Sequence, residues 1–242
     1  MTMRTLTLAW VLFGAVAQVQ AQAQDDDTPE VTDDGLMRVP SARKAGVYRL
    51  PTATFDQYRS VLFDPIKIEF KKGWEHNHRE MSRKDLERLR SDLAAAFRQE
   101  LKKELVKRGG FTLVDKPSPD TLRVSGQLLD TDVTAPKASS SQFKTYVRNA
   151  GSMKVIVELH DADSGLLIGR IISYETAPDK PEDVVTAAKN GMTSGLIADT
   201  QISNIADFRL GFENSARYTH EAINVARSAK REEQSRIKSD NE

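Results

Sequence analysis

Two histidines and a glutamate stand at even intervals in a short polar segment, and side chains of these types can hold a metal ion. His76 and His78 are two residues apart and Glu80 follows at the same interval, so in an extended segment all three point the same way. Imidazole and carboxylate are common zinc ligands. The spacing supports one hypothesis, a metal-dependent or ligand-activated hydrolase. The alternative is a polar loop before a helix, because the sequence lacks an HExxH motif and a further ligand at a fixed spacing.

Two other segments approach known motifs without completing them. Residues 161–165 (DADSG) resemble the start of a calcium loop, but a third acidic position and a closing glutamate are missing. A hairpin turn accounts for the same residues. Residues 191–195 (GMTSG) approach a nucleophile elbow but carry Thr193 in the middle, and His160 or His220 would be an arbitrary choice of base. We therefore assign no catalytic, cofactor-binding or metal-ligating residue from the sequence.

The overall charge gives no support for a nucleic-acid or membrane-surface partner. The chain has 35 Lys and Arg against 35 Asp and Glu, with a pI near 6.9. A basic run from Arg98 to Arg108 contains Glu100 and Glu104, which predicts a salt-bridged and solvated helix face. Neither a GxGxxG fingerprint nor a Walker A loop occurs, so no phosphate cradle is indicated.

The amino terminus has the three parts of a secretory signal. Arg4 is followed by an apolar run over residues 6–16, and Ala21 and Ala23 are the small residues that signal peptidase reads. The apolar run has about half the ~20 residues that a membrane-crossing helix needs. The sequence therefore predicts a cleavable signal over residues 1–23 and a periplasmic location.

The chain contains no cysteine, which excludes disulfides, thiolate metal sites and cysteine nucleophiles. It also excludes the acylated cysteine that anchors a bacterial lipoprotein. We expect a protein without a membrane span or a lipid anchor, whose fold depends on its hydrophobic core alone.

Composition divides the rest of the chain into three parts. Residues 24–45 are rich in charge and lack apolar periodicity, which predicts a flexible linker. Residues 46–228 alternate between strand and helix patterns and predict a single α+β domain. Residues 229–242 are dominated by charge and predict a disordered tail.

Apolar spacing predicts two long helices, over residues 82–108 and 204–228. Ser82 and Asp85 resemble a capping box at the start of the first helix, and a Gly-Gly pair follows its end. Short apolar or alternating segments predict the strands, at 58–70, 111–114, 122–128, 153–159 and 166–174. Pro65 cannot donate to a ladder, which predicts a bulge or register break. Together these elements predict a two-layer α+β sandwich, with a mixed, mostly antiparallel sheet of four to five strands and two long helices on one face.

Several stretches between Gly46 and Ala226 resemble a family of exported bacterial proteins, domain of unknown function 3313. The matching stretches are GVYRLP at 46–51, FDQYRSVLFDP at 55–65, Trp74, LVKRGG at 105–110, VDKPSPDTLRV at 114–124, the hairpin at 161–167 and the closing helix at 204–226. The resemblance implies export and a shared fold. Members often begin as lipoproteins, and this chain departs from them because it has no lipobox cysteine. The family brings no known activity, so it supplies no site residue.

These observations predict an exported, non-catalytic domain that acts as a periplasmic binding or assembly module. Its partner would be another cell-envelope protein, reached through a sheet edge or a helix face. The alternative function is the hydrolase at His76, His78 and Glu80. A third hypothesis is a small-ligand carrier with an apolar pocket between the sheet and the helices.

Overall fold

In the computed structural model, the described residues are 31–40, 45–133, 151–176 and 201–239, with side chains in the last range described at 205 and 208–228. The described strands are β1 (Met37–Val39), β2 (Ala45–Arg49), β3 (Ser60–Phe63), β4 (Lys67–Phe70), β5 (Thr112–Leu113), β6 (Thr121–Val133), β7 (Gly151–Asp161) and β8 (Leu167–Thr176). The described helices are α1 (Trp74–Asn77), α2 (Arg83–Lys102), a π-helical continuation (Lys103–Arg108) and α3 (Gln201–Ser239). No helix in these ranges combines the length and apolarity that a membrane crossing requires.

The strands form one mixed sheet in the order β1-β2-β8-β7-β6-β3-β5, and β4 pairs with β6 next to β3. The pairs β1–β2, β2–β8, β8–β7 and β7–β6 are antiparallel, whereas β3 and β4 run parallel to β6. The predicted α+β class is confirmed. The predicted count of four to five strands is wrong, because the described residues alone contribute eight strands to the sheet.

The undercount arises at the amino-terminal end, where strands are short. β1 lies inside residues 24–45, which the sequence predicts as a flexible linker, and Leu36 just before it is completely buried. Three residues cannot display a period-two pattern, so only pairing with β2 reveals this strand. The linker prediction is therefore corrected for residues 31–40.

Pro65 separates two strands that share one partner. Phe63 of β3 is in register with Val124 of β6, and Lys67 of β4 is in register with Gln127. The chain therefore takes four residue steps from Phe63 to Lys67 while β6 takes three from Val124 to Gln127. The extra residue on the β3–β4 side is that of a bulge. The predicted register break at Pro65 is confirmed.

One face of the sheet carries the core and both long helices. Gly126 of β6 lacks a side chain where α2 approaches: a Cβ there would lie 3.1 Å from Cε1 of Phe97. The ring of Phe97 lies 5.4 Å from that of Phe212 on α3, which packs over β7 and β8. The sheet residues of this core include Leu122, Val124, Leu128, Met153, Val155, Val157, Leu159 and Ile171.

The predicted helix layout needs three corrections. The short helix α1 precedes the two long ones, and the first long helix changes from α to π geometry after Lys102. In addition, α3 runs from Gln201 to Ser239, well beyond the predicted 204–228. It therefore includes most of the predicted disordered tail. That stretch is rich in Lys, Arg, Glu and Gln, which have high helix propensity.

The capping box at the start of α2 is confirmed. The Ser82 hydroxyl accepts a hydrogen bond from the backbone N–H of Asp85 at 3.2 Å, and the Asp85 carboxylate accepts one from the N–H of Ser82 at 3.3 Å. At the other end Gly110 adopts a left-handed conformation with φ of 71°. This matches the predicted glycine stop.

Replacing the capping serine should destabilise the protein because the backbone N–H of Asp85, in the first turn of α2, loses its acceptor. We expect Ser82→Ala to lower the free energy of unfolding by about 1 kcal/mol in urea titrations. Ser91→Ala, at an exposed position inside the same helix, is the matched control and should be neutral or slightly stabilising. Equal effects of the two substitutions would contradict the capping role of Ser82.

Candidate functional site

The predicted histidine cluster does not form a metal site. The Nδ1 atom of His78 lies 2.8 Å from the Trp74 carbonyl oxygen, and its ring stacks on Trp74 at 4.1 Å. The ring nitrogens of His76 lie instead 2.7 Å from Nη2 of Arg79. Within the described ranges, no three His, Asp or Glu side chains are grouped to hold a metal ion. The hypothesis that His76, His78 and Glu80 converge is therefore wrong.

The other two near-motifs have different outcomes. Residues 161–165 form the predicted hairpin turn, with Gly165 at φ of 74° and its N–H bonded to the Asp161 carbonyl. The Asp161 carboxylate accepts bonds from the N–H and hydroxyl of Ser164 and from the hydroxyl of Tyr58. Residues 191–195 lie outside the described part of the chain.

Two glutamates of α2 and its π-helical end are buried, contrary to the predicted solvated face. The side chains of Glu100 and Glu104 are 2% and 1% exposed. Glu100 accepts bonds from Lys103 at 3.1 Å and from Arg209 of α3 at 3.0 Å. Burial alone would raise the pKa of Glu100, but these bonds outweigh it and lower the pKa below its usual value. The predicted salt bridges are thus present, in a buried setting.

Glu104 has two basic neighbours, one on its own helix and one on α3. Its carboxylate accepts a bond from Arg108 at 2.7 Å, and its other oxygen lies 3.7 Å from Nδ1 of His220. The sequence contained a signal for this burial. Glu100 follows Phe97 by three residues and Glu104 follows Leu101 by three, so both glutamates lie on the apolar stripe of the helix.

A third buried carboxylate lies where α3 crosses β8. Glu175 is 9% exposed and accepts a bond from the hydroxyl of Ser215 at 3.1 Å, which itself lies 2.8 Å from the hydroxyl of Ser173. Gly211 makes this approach possible, because a Cβ there would lie 2.8 Å from Cβ of Glu175. Burial raises the pKa of Glu175. No histidine joins these hydroxyls and the carboxylate, so the group lacks the base that activates a serine.

A groove lined mainly by apolar side chains opens between α3 and the edge of the sheet at β1 and β2. Its volume is about 240 Å³. Val225 on α3 borders it and is 58% exposed, so the groove communicates with solvent. The lining residues are Val39, Pro40, Val47, Tyr48, Arg49, Phe55, Leu159, Gly169, Ile171, Tyr218, Glu221, Ala222, Val225 and Ala226.

The groove exists because the helices are narrower than the sheet. A helix with its side chains is ~10 Å wide and strands lie ~4.8 Å apart, so two helices cover about four strands. α3 packs over β7 and β8, and α2 packs over the β4 and β6 side. β1 and β2 lie beyond α3, which leaves the apolar side chains of Val39 and Val47 facing the open space.

Local features keep the groove open. Gly169 of β8 has no side chain, and a Cβ there would enter the space between Leu159 and Phe55, at 3.4 and 3.6 Å. Arg227 of α3 fixes the loop that carries Phe55. It donates to the carbonyl oxygens of Phe55 and Tyr58 at 3.3 and 2.9 Å. Helix, loop and strand therefore hold the lining in place.

Arg49 and Glu221 are the two charged residues of the lining. Arg49 is in register with Gly169, which is in register with Leu159, so Arg49 lies on the sheet face that carries α3. Glu221 is engaged in an interaction within the chain. Arg49, by contrast, has no hydrogen-bond or ion-pair partner for its guanidinium among the residues that the structure describes. Among the described residues, the groove thus combines a mainly apolar lining with one guanidinium that has no such partner.

The buried Glu175 gives a pH dependence that can be measured. Its pKa is raised in the folded state, so the folded protein favours the protonated form, and wild-type stability should fall as pH rises from 4.5 through the folded pKa. Glu175→Gln removes this loss while keeping an acceptor for Ser215. We expect the variant to gain stability relative to wild type between pH 4 and pH 7 in urea titrations. Glu69→Gln, exposed on β4, controls for the loss of one charge. If the stability difference between Glu175→Gln and wild type were the same at pH 4 and pH 7, the raised pKa of Glu175 would be contradicted.

Comparison with solved structures finds weak similarities. A PelC dodecamer from Paraburkholderia phytofirmans is 13% identical, with 70% of this chain and 95% of that chain covered and a TM-score of 0.27. A variant of the same protein gives 12% identity, coverage of 73% and 97%, and a TM-score of 0.32. A Helicobacter pylori protein described as a neuraminyllactose-binding hemagglutinin homolog gives 13% identity, coverage of 74% and 92%, and a TM-score of 0.33. TM-scores this low do not establish a shared fold.

Comparison with families gives a direct match. No curated protein matches the chain. The family model described as protein of unknown function (DUF3313) matches residues 28–190, which is more than half of the sequence. The resemblance noted in the sequence is therefore confirmed, and the chain belongs to the DUF3313 family of proteins of unknown function.

Proposed function

We propose that this protein is an exported, non-catalytic binding module that engages a partner in the cell envelope through the groove between α3 and the β1–β2 edge. The observation that carries the proposal is the exposure of an apolar lining at this place. Most of the core is closed by the two long helices, whereas Val225 is 58% exposed at the rim of the groove. A concave, mostly apolar site with few polar groups is the usual form of a ligand site.

The amino-terminal sequence supports export. Arg4, the apolar run at 6–16 and the small residues Ala21 and Ala23 have the order of a secretory signal. This order supports a periplasmic location.

The arrangement of titratable groups supports a binding role. Glu100 and Glu104 are held in ion pairs that join α2 to its own turns and to α3. Glu175 is held by hydroxyl groups beneath α3. These carboxylates therefore serve the contact between helices and sheet, and none of the three lines the groove. The hydrolase hypothesis also loses its geometric basis, since His76 and His78 contact different residues.

Site-specific photo-crosslinking in intact cells tests this proposal. A photo-reactive amino acid is placed at position 225, which lines the groove, or at position 210 on the same helix. Val225 and Leu210 are similarly exposed, at 58% and 54%, but Leu210 does not line the groove. We expect a discrete crosslinked product from position 225 and none from position 210.

A groove-filling substitution provides the specificity control. Ala222→Phe places a ring in the groove from α3 and should remove the product formed at position 225. Leu210→Phe adds an aromatic ring elsewhere on α3 and should leave the product unchanged. Equal crosslinking from positions 225 and 210, or a product that survives Ala222→Phe, would refute a binding role for the groove.

A further inference from the structure

We infer that the groove binds a single-chain anionic amphiphile, namely a free fatty acid, with its alkyl chain along the apolar lining and its carboxylate at Arg49. This inference rests on the proposed function, because it names the ligand class of the same groove. It is carried by the combination of an apolar lining, a limited volume and a guanidinium that has no hydrogen-bond or ion-pair partner within the described ranges.

The lining supplies the surface for an alkyl chain. From the sheet, Val47 and Ile171 face α3 at neighbouring register positions. From α3, Tyr218, Ala222 and Val225 recur at spacings of four and three, so they lie on one stripe of the helix. This stripe and these strand residues line the same groove, which offers an apolar surface to a flexible chain.

The volume selects among lipid-like ligands. About 240 Å³ lies below the ~300–1,000 Å³ of typical small-molecule sites. A groove of this size suits one alkyl chain better than the two chains of a phospholipid.

The charge selects the headgroup. Arg49 lies on the helix-bearing face of β2, beside the glycine of β8 that leaves the groove open. Its guanidinium has no hydrogen-bond or ion-pair partner in the part of the chain that the structure describes, while Glu221 is already engaged. A guanidinium forms its strongest hydrogen bonds with carboxylates, in a two-pronged geometry. A carboxylate at the end of an alkyl chain completes this pairing.

Calorimetric titration of the purified protein with decanoate and with neutral decyl maltoside tests the inference. We expect decanoate to bind with a dissociation constant on the order of tens to hundreds of micromolar. Arg49→Gln should weaken decanoate binding about three- to tenfold. Arg88→Gln, an exposed arginine on α2 away from the groove, should leave it unchanged. Ala222→Phe should abolish binding while its thermal unfolding remains cooperative, and Leu210→Phe should preserve it.

The outcomes separate the ligand class from the proposed function. The alternative for Arg49 is that its aliphatic stem covers apolar surface while its guanidinium stays in water and binds no ligand. In that case both decyl ligands bind equally and Arg49→Gln has no effect, which overturns the anionic ligand. If neither ligand binds but position 225 still crosslinks in cells, the fatty acid is overturned and the binding module stands. Absence of both binding and crosslinking overturns both.

Discussion

The limited width of two helices on a wide sheet is the constraint on which this structure depends. α2 and α3 meet through Phe97 and Phe212, 5.4 Å apart, and together cover about four strands. Gly126 and Gly211 lack side chains where these helices approach the sheet most closely. The cover cannot extend to β1 and β2. The groove follows directly, because the inward-facing residues of these edge strands are apolar apart from Arg49.

The contact between the helices is unusually rich in buried charge. Two carboxylates on the apolar stripe of α2 and its π-helical end are held by basic residues from the same helix and from α3. Leaving such a carboxylate without its partner would be costly, so the pairing restricts how α3 can lie on α2. The direction of α3 in turn decides which of its stripes faces the β1–β2 edge. The buried ion pairs therefore influence the groove indirectly, through the placement of α3, although none of those carboxylates lines it.

Much of the fold could be predicted from local patterns, and the candidate site could not. The Ser82 cap, the strand alternation and the hairpin at 161–165 are local features whose residues carry their own signals. β1 was missed because three residues show no period. The burial of Glu100 could be suspected from its place on an apolar stripe, but Arg209, its partner on α3, stands far away in the chain. The groove depends on which strands a helix leaves uncovered, and Arg49 gains significance only from its register with Gly169.

Single-cysteine labelling in living cells tests most directly whether the groove is occupied where the protein works. The chain has no cysteine, so Val225→Cys and Leu210→Cys each introduce one thiol, at positions of nearly equal exposure on one helix. The rate of modification by a maleimide is measured for both variants as purified protein and in intact cells. We expect the rate at position 225 relative to position 210 to fall severalfold in cells, because a bound partner shields the groove. An unchanged ratio would contradict occupation of the groove.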